Sequence, residues 1–297
     1  MTMVAPGAPP PPVNLRRAAE LPAGAAALSD ALFAGEMVVY SGIAPFQALI
    51  KRARDVVEDV FGEDPQIAEQ SLDPATFKKH ASNARKQIVD HPHIHRLWVE
   101  TLEEIGYEAR TVRCDKMRLR IAPSSEAMRS RLIRPLPVHR DSWGSGIMCQ
   151  INWWAPLYRL HETRTMLIWP EGFDQPIANT TEEWDYHTLL SGEIPDYPLL
   201  PRARAKPPGK PIAVMIGPGE LLAFSAAHLH ASATDRSGQT RFSLDTRSIW
   251  ETDVWAGRGA PNVDSATPPH WDMFGRASIA DPGNQEQTDS NTQGGSR

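Results

Sequence analysis

The feature that most constrains this chain is a change of hydrophobic period near Tyr107. Before it, apolar residues recur at helical spacing. Phe46, Leu49, Ile50, Ala53, Val57, Val60 and Phe61 lie between Pro45 and Gly62, and Ile94, Leu97, Trp98, Leu102 and Ile105 run up to Gly106. A weaker pattern predicts a third helix from Pro74 to Asp90. After Tyr107 the period is two. Met117, Leu119 and Ile121 alternate with Arg118 and Arg120, and Ile147, Cys149, Ile151 and Trp153 alternate with Met148, Gln150, Asn152 and Trp154. Strands are also predicted at 211–216 and 220–224, around the turn Gly217-Pro-Gly219, and from Arg241 to Ser248. Helices first and strands afterwards predict a mainly β core with an α layer, not the strand–helix alternation of a doubly wound nucleotide-binding fold. No glycine-rich phosphate loop follows any strand.

Several strands carry Arg, Gln, Asn or Ser opposite their apolar face, where a solvated sheet usually shows Lys and Glu. Such a face lines the cavity of a barrel or jelly roll, or else it meets solvent; alternation alone favours neither. Composition narrows the class further. Hydrophobic residues at 41% exclude disorder throughout, and no apolar run approaches the ~18 residues of a membrane span. A net charge of -5 argues against nucleic acid as a partner. The two cysteines, Cys114 and Cys149, cannot build a disulfide framework, and the first residues lack the pattern of a secretory signal, so a cytoplasmic protein is expected. Residues 1–13, with the run Pro9 to Pro12, and residues 275–297 read as disordered tails. Between them, 14–274 reads as a single domain, with its helical layer at about 14–107 and its β core at about 108–255.

Three short segments carry chemistry. In His139-Arg-Asp141 a histidine and a carboxylate two apart on extended backbone point the same way, so both can reach one metal ion. A second histidine is available downstream of the strand ending at Phe224, at His228 or His230, and two on a strand share a face. Two histidines, one carboxylate and open positions make a facial triad suited to Fe(II), with Mn(II), Co(II) or Ni(II) able to replace it. Eleven residues after His230, Arg241-Phe-Ser243 puts a guanidinium and a hydroxyl on one face of a strand, a clamp for a distal carboxylate. A metal beside such a clamp describes a site for a 2-oxo acid.

These segments resemble the Fe(II)/2-oxoglutarate-dependent dioxygenases, most closely the branch similar to phytanoyl-CoA hydroxylase. The likeness rests on His139-Arg-Asp141, on Gly219-Glu-Leu-Leu-Ala-Phe224 leading to His230-Ala-Ser232, and on Arg241-Phe-Ser243. Glu220 stands where the family commonly has Asp, and Thr165-Met-Leu-Ile-Trp-Pro170 resembles the family's strand ending in an Ile-Pro-Gly turn, with Glu171 a departure. It covers roughly residues 115 to 250. The resemblance implies a double-stranded β-helix (jelly roll, cupin-like) core with N-terminal helices packed on the sheet. It also implies metal ligands His139, Asp141 and His230, and 2-oxoglutarate and O2 as co-substrates. Arg241 and Ser243 would hold 2-oxoglutarate, with Gln150 and Thr165 as further contacts. The reaction implied is hydroxylation, desaturation or cyclisation at an unactivated C–H of a small molecule, with succinate and CO2 released. Family halogenases have Gly or Ala where Asp141 stands, which weighs against halogenation.

Arg118, Arg120, Asn152, Trp154, His228 and Arg247 are candidates for the substrate pocket. For each a structural role competes: surface exposure for Arg118 and Arg120, a structural hydrogen bond for Asn152 as for Gln150, core packing for Trp154, a buried histidine for His228, and for Arg247 an ion pair with Asp245 or Glu251. Two rival functions remain open at this point. One is a cupin-like metal protein that does not use 2-oxoglutarate, favoured if Arg241 faces away from the metal. The other is a protein hydroxylase, favoured by a broad shallow groove. His91-Pro-His93-Ile-His95 opens a predicted helix, where residues two apart diverge, and is not expected to bind metal. The oligomeric state is not legible.

Overall fold

The computed structural model describes residues 15–233 and 236–277. The tail expected at 1–13, and all but the first three residues of the one expected at 275–297, lie outside them. Eleven described strands are β1 (Leu15–Arg17), β2 (Met37–Tyr40), β3 (Val112–Cys114), β4 (Arg118–Ala122), β5 (Gln150–Pro156), β6 (Met166–Trp169), β7 (Ile212–Ala213), β8 (Leu221–Ser225), β9 (Leu229–Ser232), β10 (Arg241–Trp250) and β11 (Gly275–Arg276). Eight form one sheet in the order β1-β2-β8-β5-β10-β3-β11, with β4 on the same edge of β10 as β3; β7-β6-β9 form a second, smaller sheet. The helices are α1 (Ala25–Phe33), α2 (Ala44–Phe61), α3 (Ala68–Ser71), α4 (Pro74–Val89), α5 (Pro92–Ile105), α6 (Ser142–Ser145), α7 (Tyr186–Ser191) and α8 (Glu251–Trp255).

The three predicted helices form close to their predicted bounds, and their ends show why. Pro74 opens α4 behind Asp73, whose carboxylate accepts from Ala75 N and Thr76 N. Gly106 closes α5 at φ 112°, in the left-handed region, where a Cβ would also stand 3.2 Å from the Gly24 Cα. The apolar stripes of α2, α4 and α5 cover one face of the large sheet, where Phe242 and Leu244 of β10 meet Ile151 and Trp153 of β5. Trp153, 1% exposed, is the centre of this layer. It packs edge-on to Trp98 of α5 at 5.4 Å and its Nε1 donates to Ser248 Oγ at 2.8 Å. The other face of the large sheet turns toward the small sheet, and Val39, Leu222, Phe224, Met166, Ile168 and Trp154 share an apolar cluster between them.

Two boundaries are corrected. The region 14–107, expected to be helical, contributes β1 and β2 to the large sheet. Met37-Val-Val-Tyr40 is a short, β-rich apolar run with its first three residues buried, too short for a period of either kind to show. The ordered unit also runs past 274, because Gly275 and Arg276 pair with Cys114 and Arg113 and Ala277 is 1% exposed. Among the described residues no helix is long and apolar enough to cross a membrane.

Candidate metal centre and its cavity

The centre is assembled by two segments that meet through their backbones. After β8 the chain crosses to the small sheet in the tight turn Ala226–His228, closed by His228 N donating to Ser225 O at 3.0 Å, and enters β9. His230 N donates to His139 O at 2.9 Å and His139 N donates to His230 O at 3.0 Å, so the two residues form a reciprocal antiparallel pair. Side chains of such a pair leave the backbone on one side, and the two imidazoles stand 4.1 Å apart. Asp141, two beyond His139, points the same way. Its Oδ1 lies 3.9 Å from His139 Nε2 and its Oδ2 lies 3.6 Å from His230 Nε2. One ligand atom from each of the three falls within 4.8 Å of the others.

Hydrogen bonds fix which atoms face inward. His139 Nδ1 lies 2.8 Å from Pro137 O and His230 Nδ1 lies 3.0 Å from His228 O, so each ring donates Nδ1–H to a carbonyl and turns a bare Nε2 to the centre. Burial, then the neighbouring His230 ring, pushes His139 down to about 3, which keeps its lone pair free at neutral pH. Asp141 feels burial raising its pKa, but His230, His139, Arg247 and Arg120 outweigh it and the carboxyl stays below the ordinary range. Asn152 Nδ2 donates to Asp141 Oδ2 at 2.6 Å, and Gln150 Nε2 donates to Asn152 Oδ1 at 2.7 Å. Two imidazole nitrogens and one held carboxylate suit a divalent cation of borderline hardness, and the donor set fits Fe(II).

Arg140, between two of these residues, faces the opposite way. Its guanidinium donates to the carbonyls of Gly172, Phe173, Gln175 and Ala227 and pairs with Asp264. Asp264 also accepts from Trp143 Nε1 and Ile177 N. A fully buried cation thus moors the metal-binding segment to the loop after β6 and the turn before β9.

The triad opens into a cavity of about 270 Å³ between the sheets, which Arg241 also lines. Arg241 Nη2 donates to Ser232 Oγ at 2.9 Å and the guanidinium lies over the Trp154 ring at 5.8 Å. Its Nη1 is buried without a partner, and Ser243 Oγ, on the same face of β10, is buried without one too. Burial lowers Arg241 to about 10, so it stays charged at neutral pH. A buried cation with no ion pair among the described residues, beside an unused hydroxyl, fits the distal carboxylate of 2-oxoglutarate.

Other expected contacts fall elsewhere. Thr165 donates its hydroxyl to Val214 O and does not line the cavity, because β6 turns it toward the 214 segment. Gln150 lies behind Asn152 and reaches the centre only through it. His228 is turned away into the core, between Gly35 O and Ser225 O at 3.2 Å each and against Phe173. The two carbonyls favour its protonated form, yet burial is larger and holds it near 4. Arg118, Arg120, Asn152, Trp154 and Arg247 do line the cavity. Arg247 pairs with neither Asp245 nor Glu251; its partner is Asp115, shared with Arg118, while Asp245 takes Arg120.

Three features escape the sequence. Asp115 reaches the cavity from the link between β3 and β4, and no spacing rule ties it to Arg247, 132 positions later. Trp184, Tyr186, Leu189 and Leu200 line one side of the cavity from α7 and its flanks, a helix too short to show a period and followed by Pro195, Pro198 and Pro201. Glu220, the departure from the family pattern, has a structural part: its Oε2 accepts from Gly217 N at 2.6 Å and closes the turn before β8, and its Oε1 pairs with Arg17 of β1.

No family model matches the chain, and no curated protein matches it. Among solved structures, it is similar to the epimerase SnoN in complex with Fe3+, alpha ketoglutarate and nogalamycin RO (17% identity, 84% of this chain and 98% of that one, TM-score 0.40). It is also similar to EvdO2 from Micromonospora carbonacea var. aurantiaca (12% identity, 79% and 89%, TM-score 0.43). A third likeness is to EvdMO1 (14% identity, 55% of this chain, TM-score 0.33), of which this chain spans about a third, 32%. These likenesses are too distant to carry an assignment, and the site's own geometry has to carry it.

Proposed function

We propose that the chain is an Fe(II)/2-oxoglutarate-dependent oxygenase with a double-stranded β-helix core, of the branch similar to phytanoyl-CoA hydroxylase, acting on a small molecule. The observation that carries this reading is the buried, unpaired guanidinium of Arg241 in the same cavity as the His139–Asp141–His230 cluster. His139 and His230 would hold the metal through Nε2 and Asp141 through a carboxylate oxygen. Arg241 and Ser243 would hold the distal carboxylate of 2-oxoglutarate, with Ser232 fixing the guanidinium. Iron with 2-oxoglutarate and O2 supplies an oxidant strong enough to cleave an unactivated C–H bond, with succinate and CO2 as co-products. The protein's share is placement. Asn152 holds Asp141 in one orientation, and the walls, Trp154 and Trp184 among them, decide which C–H faces the metal.

Two features speak against the rivals. Arg241 faces the metal cluster's cavity, whereas a metal barrel without 2-oxoglutarate has no use for an unpaired buried cation there. The cavity is roofed and walled by Trp154 and Trp184, which suits a metabolite better than a protein segment.

The test is anaerobic titration with Fe(II) and 2-oxoglutarate, followed by the visible metal-to-ligand charge-transfer band that chelation gives. The band is expected in wild type and absent in His230→Ala and Arg241→Ala. Tight iron binding with no band at saturating 2-oxoglutarate would refute the reading.

A further inference from the structure

The cavity holds more positive charge than the proposed co-substrate can use. Apart from Arg140, whose guanidinium is turned away, it is lined by Arg85, Arg118, Arg120, Arg134, Arg241 and Arg247 against three carboxylates, Asp115, Asp141 and Asp245. Arg120 and Asp245 balance each other. Asp141 belongs to the metal cluster. Asp115 stands between two guanidiniums, Arg118 and Arg247, and can neutralise only one.

This second basic group is built, not incidental. Asp115 is 8% exposed, its N donates to Arg247 O at 2.9 Å, and its carbonyl accepts from Thr246 Oγ1 at 2.9 Å, so the carboxylate is pinned to β10. Arg247 lies over the Phe274 ring at 5.6 Å and spends Nε and Nη2 on Asp115, while Arg118 spends Nη1 and Nη2. Arg247 Nη1 and Arg118 Nε remain uncommitted among the described residues. Arg247, its side chain 15% exposed, keeps its charge largely out of water, which is costly unless an anion meets what Asp115 leaves unneutralised.

Geometry separates this group from Arg241. The two arginines are the first and seventh residues of β10. At about 3.3 Å per residue their backbones are roughly 20 Å apart, and their guanidiniums are tied to different groups, Arg241 to Ser232 and Arg247 to Asp115. The roof over the cavity is apolar and aromatic, from Trp184 and Tyr186 to Leu189 and Leu200.

We propose that the substrate is an organic carboxylate: an apolar body under the Trp184–Leu200 roof, with its carboxylate on Arg118 and Arg247 around Asp115. The assignment rests on the oxygenase reading for the word substrate, but the carboxylate site itself does not.

The experiment is calorimetric titration of the full chain, anaerobic, with Fe(II) and excess 2-oxoglutarate so that Arg241 is engaged. The probes are benzoate, phenylacetate and indole-3-acetate, each beside its primary amide. At least one carboxylate is expected to bind about tenfold or more tightly than its amide. Arg118→Gln and Arg247→Gln should each cut that ratio to about threefold or less, and Arg118→Lys should keep part of it. Amide binding and the charge-transfer band should persist in all three, which shows that they fold and take the co-substrate. Equal binding of acid and amide would overturn the proposal, as would no carboxylate binding at millimolar concentration or a preference that survives both Gln variants. Loss of the band in Arg247→Gln would overturn it too, by assigning that residue to 2-oxoglutarate. If wild type shows no band but the carboxylate preference holds and depends on Arg118 and Arg247, the oxygenase reading fails and the anion site stands.

Discussion

Replacing Asn152 by Ala tests whether the metal cluster is held by its surroundings. Asn152 donates to Asp141 Oδ2 at 2.6 Å from a side chain 3% exposed, so no bulk water takes its place readily. A hydrogen bond to a charged acceptor contributes about 1.5–3 kcal/mol. Loss of an outer partner of a metal ligand typically weakens metal binding by about 10–100-fold, which is roughly 1.4–2.8 kcal/mol. The two figures agree, so Asn152→Ala is expected to weaken binding by one to two orders of magnitude. Gln150→Leu acts one bond further back and should cost about threefold, since Asn152 keeps its amide in place. Once Asn152 is gone, Gln150→Leu should add little, because the two form one chain of bonds. The assay is competition for Co(II) or Mn(II) against a chromophoric chelator, with His139→Ala as the reference for a broken site. Binding within about twofold of wild type in Asn152→Ala, with an unchanged melting temperature, would show that Asp141 needs no such partner and would refute the reasoning.

Trp153→Ala removes the largest side chain of the helix–sheet layer along with its bond to Ser248, and urea unfolding should show a loss of about 3–5 kcal/mol with the m-value unchanged. Arg140→Met strands Asp264 and four carbonyls, so it should cost about 3–5 kcal/mol and weaken metal binding as well; a neutral result would mean the mooring is dispensable. His228 titrates near 4 when folded and near 6.5 when unfolded, a depressed value whose stabilisation is complete above pH 6.5 and lost as pH falls toward 4. In metal-free protein, the stability of wild type relative to His228→Phe should therefore decline by up to about 3 kcal/mol across that window, and a flat difference would contradict the buried neutral imidazole.

What the sequence revealed follows from how far each signal reaches along the chain. The helices declared themselves because Phe46, Leu49, Ile50 and Ala53 repeat a face over several turns, and β10 did so because Arg241, Ser243, Asp245 and Arg247 alternate with core residues over a long strand. His139 and Asp141 are legible together because residues two apart can share one ion, whereas His230 and Arg241 are singled out by the family resemblance, since tertiary pairing brings them to the same cavity. Met37–Tyr40 was not, since four residues carry no period. Thr165, Gln150 and His228 lie off the cavity, and for Gln150 and His228 the structural alternative is the one the contacts favour, for a common reason. A residue's place on a strand says which side it leaves from, but not whether a nearer partner such as Val214 O or Gly35 O has already claimed its polar atoms. Asp115 was invisible because its partner Arg247 is fixed by tertiary pairing alone.

The segment that carries His139 has a second occupation. From Leu136 to His139 it runs along the free side of β9, exchanging Ser232 N to Leu136 O at 3.0 Å and the His139–His230 pair, while β6 covers the other side. Leu229–Ser232 is thereby capped on both flanks, though only one cap is a strand. A lapse of that segment would bare the backbone N–H and C=O groups on one side of β9, an open edge of the kind that can pair with neighbouring molecules. Damage near the metal ligands should then register as turbidity and lost yield as much as lost chemistry, so the cluster and the solubility of the chain are guarded by the same few residues.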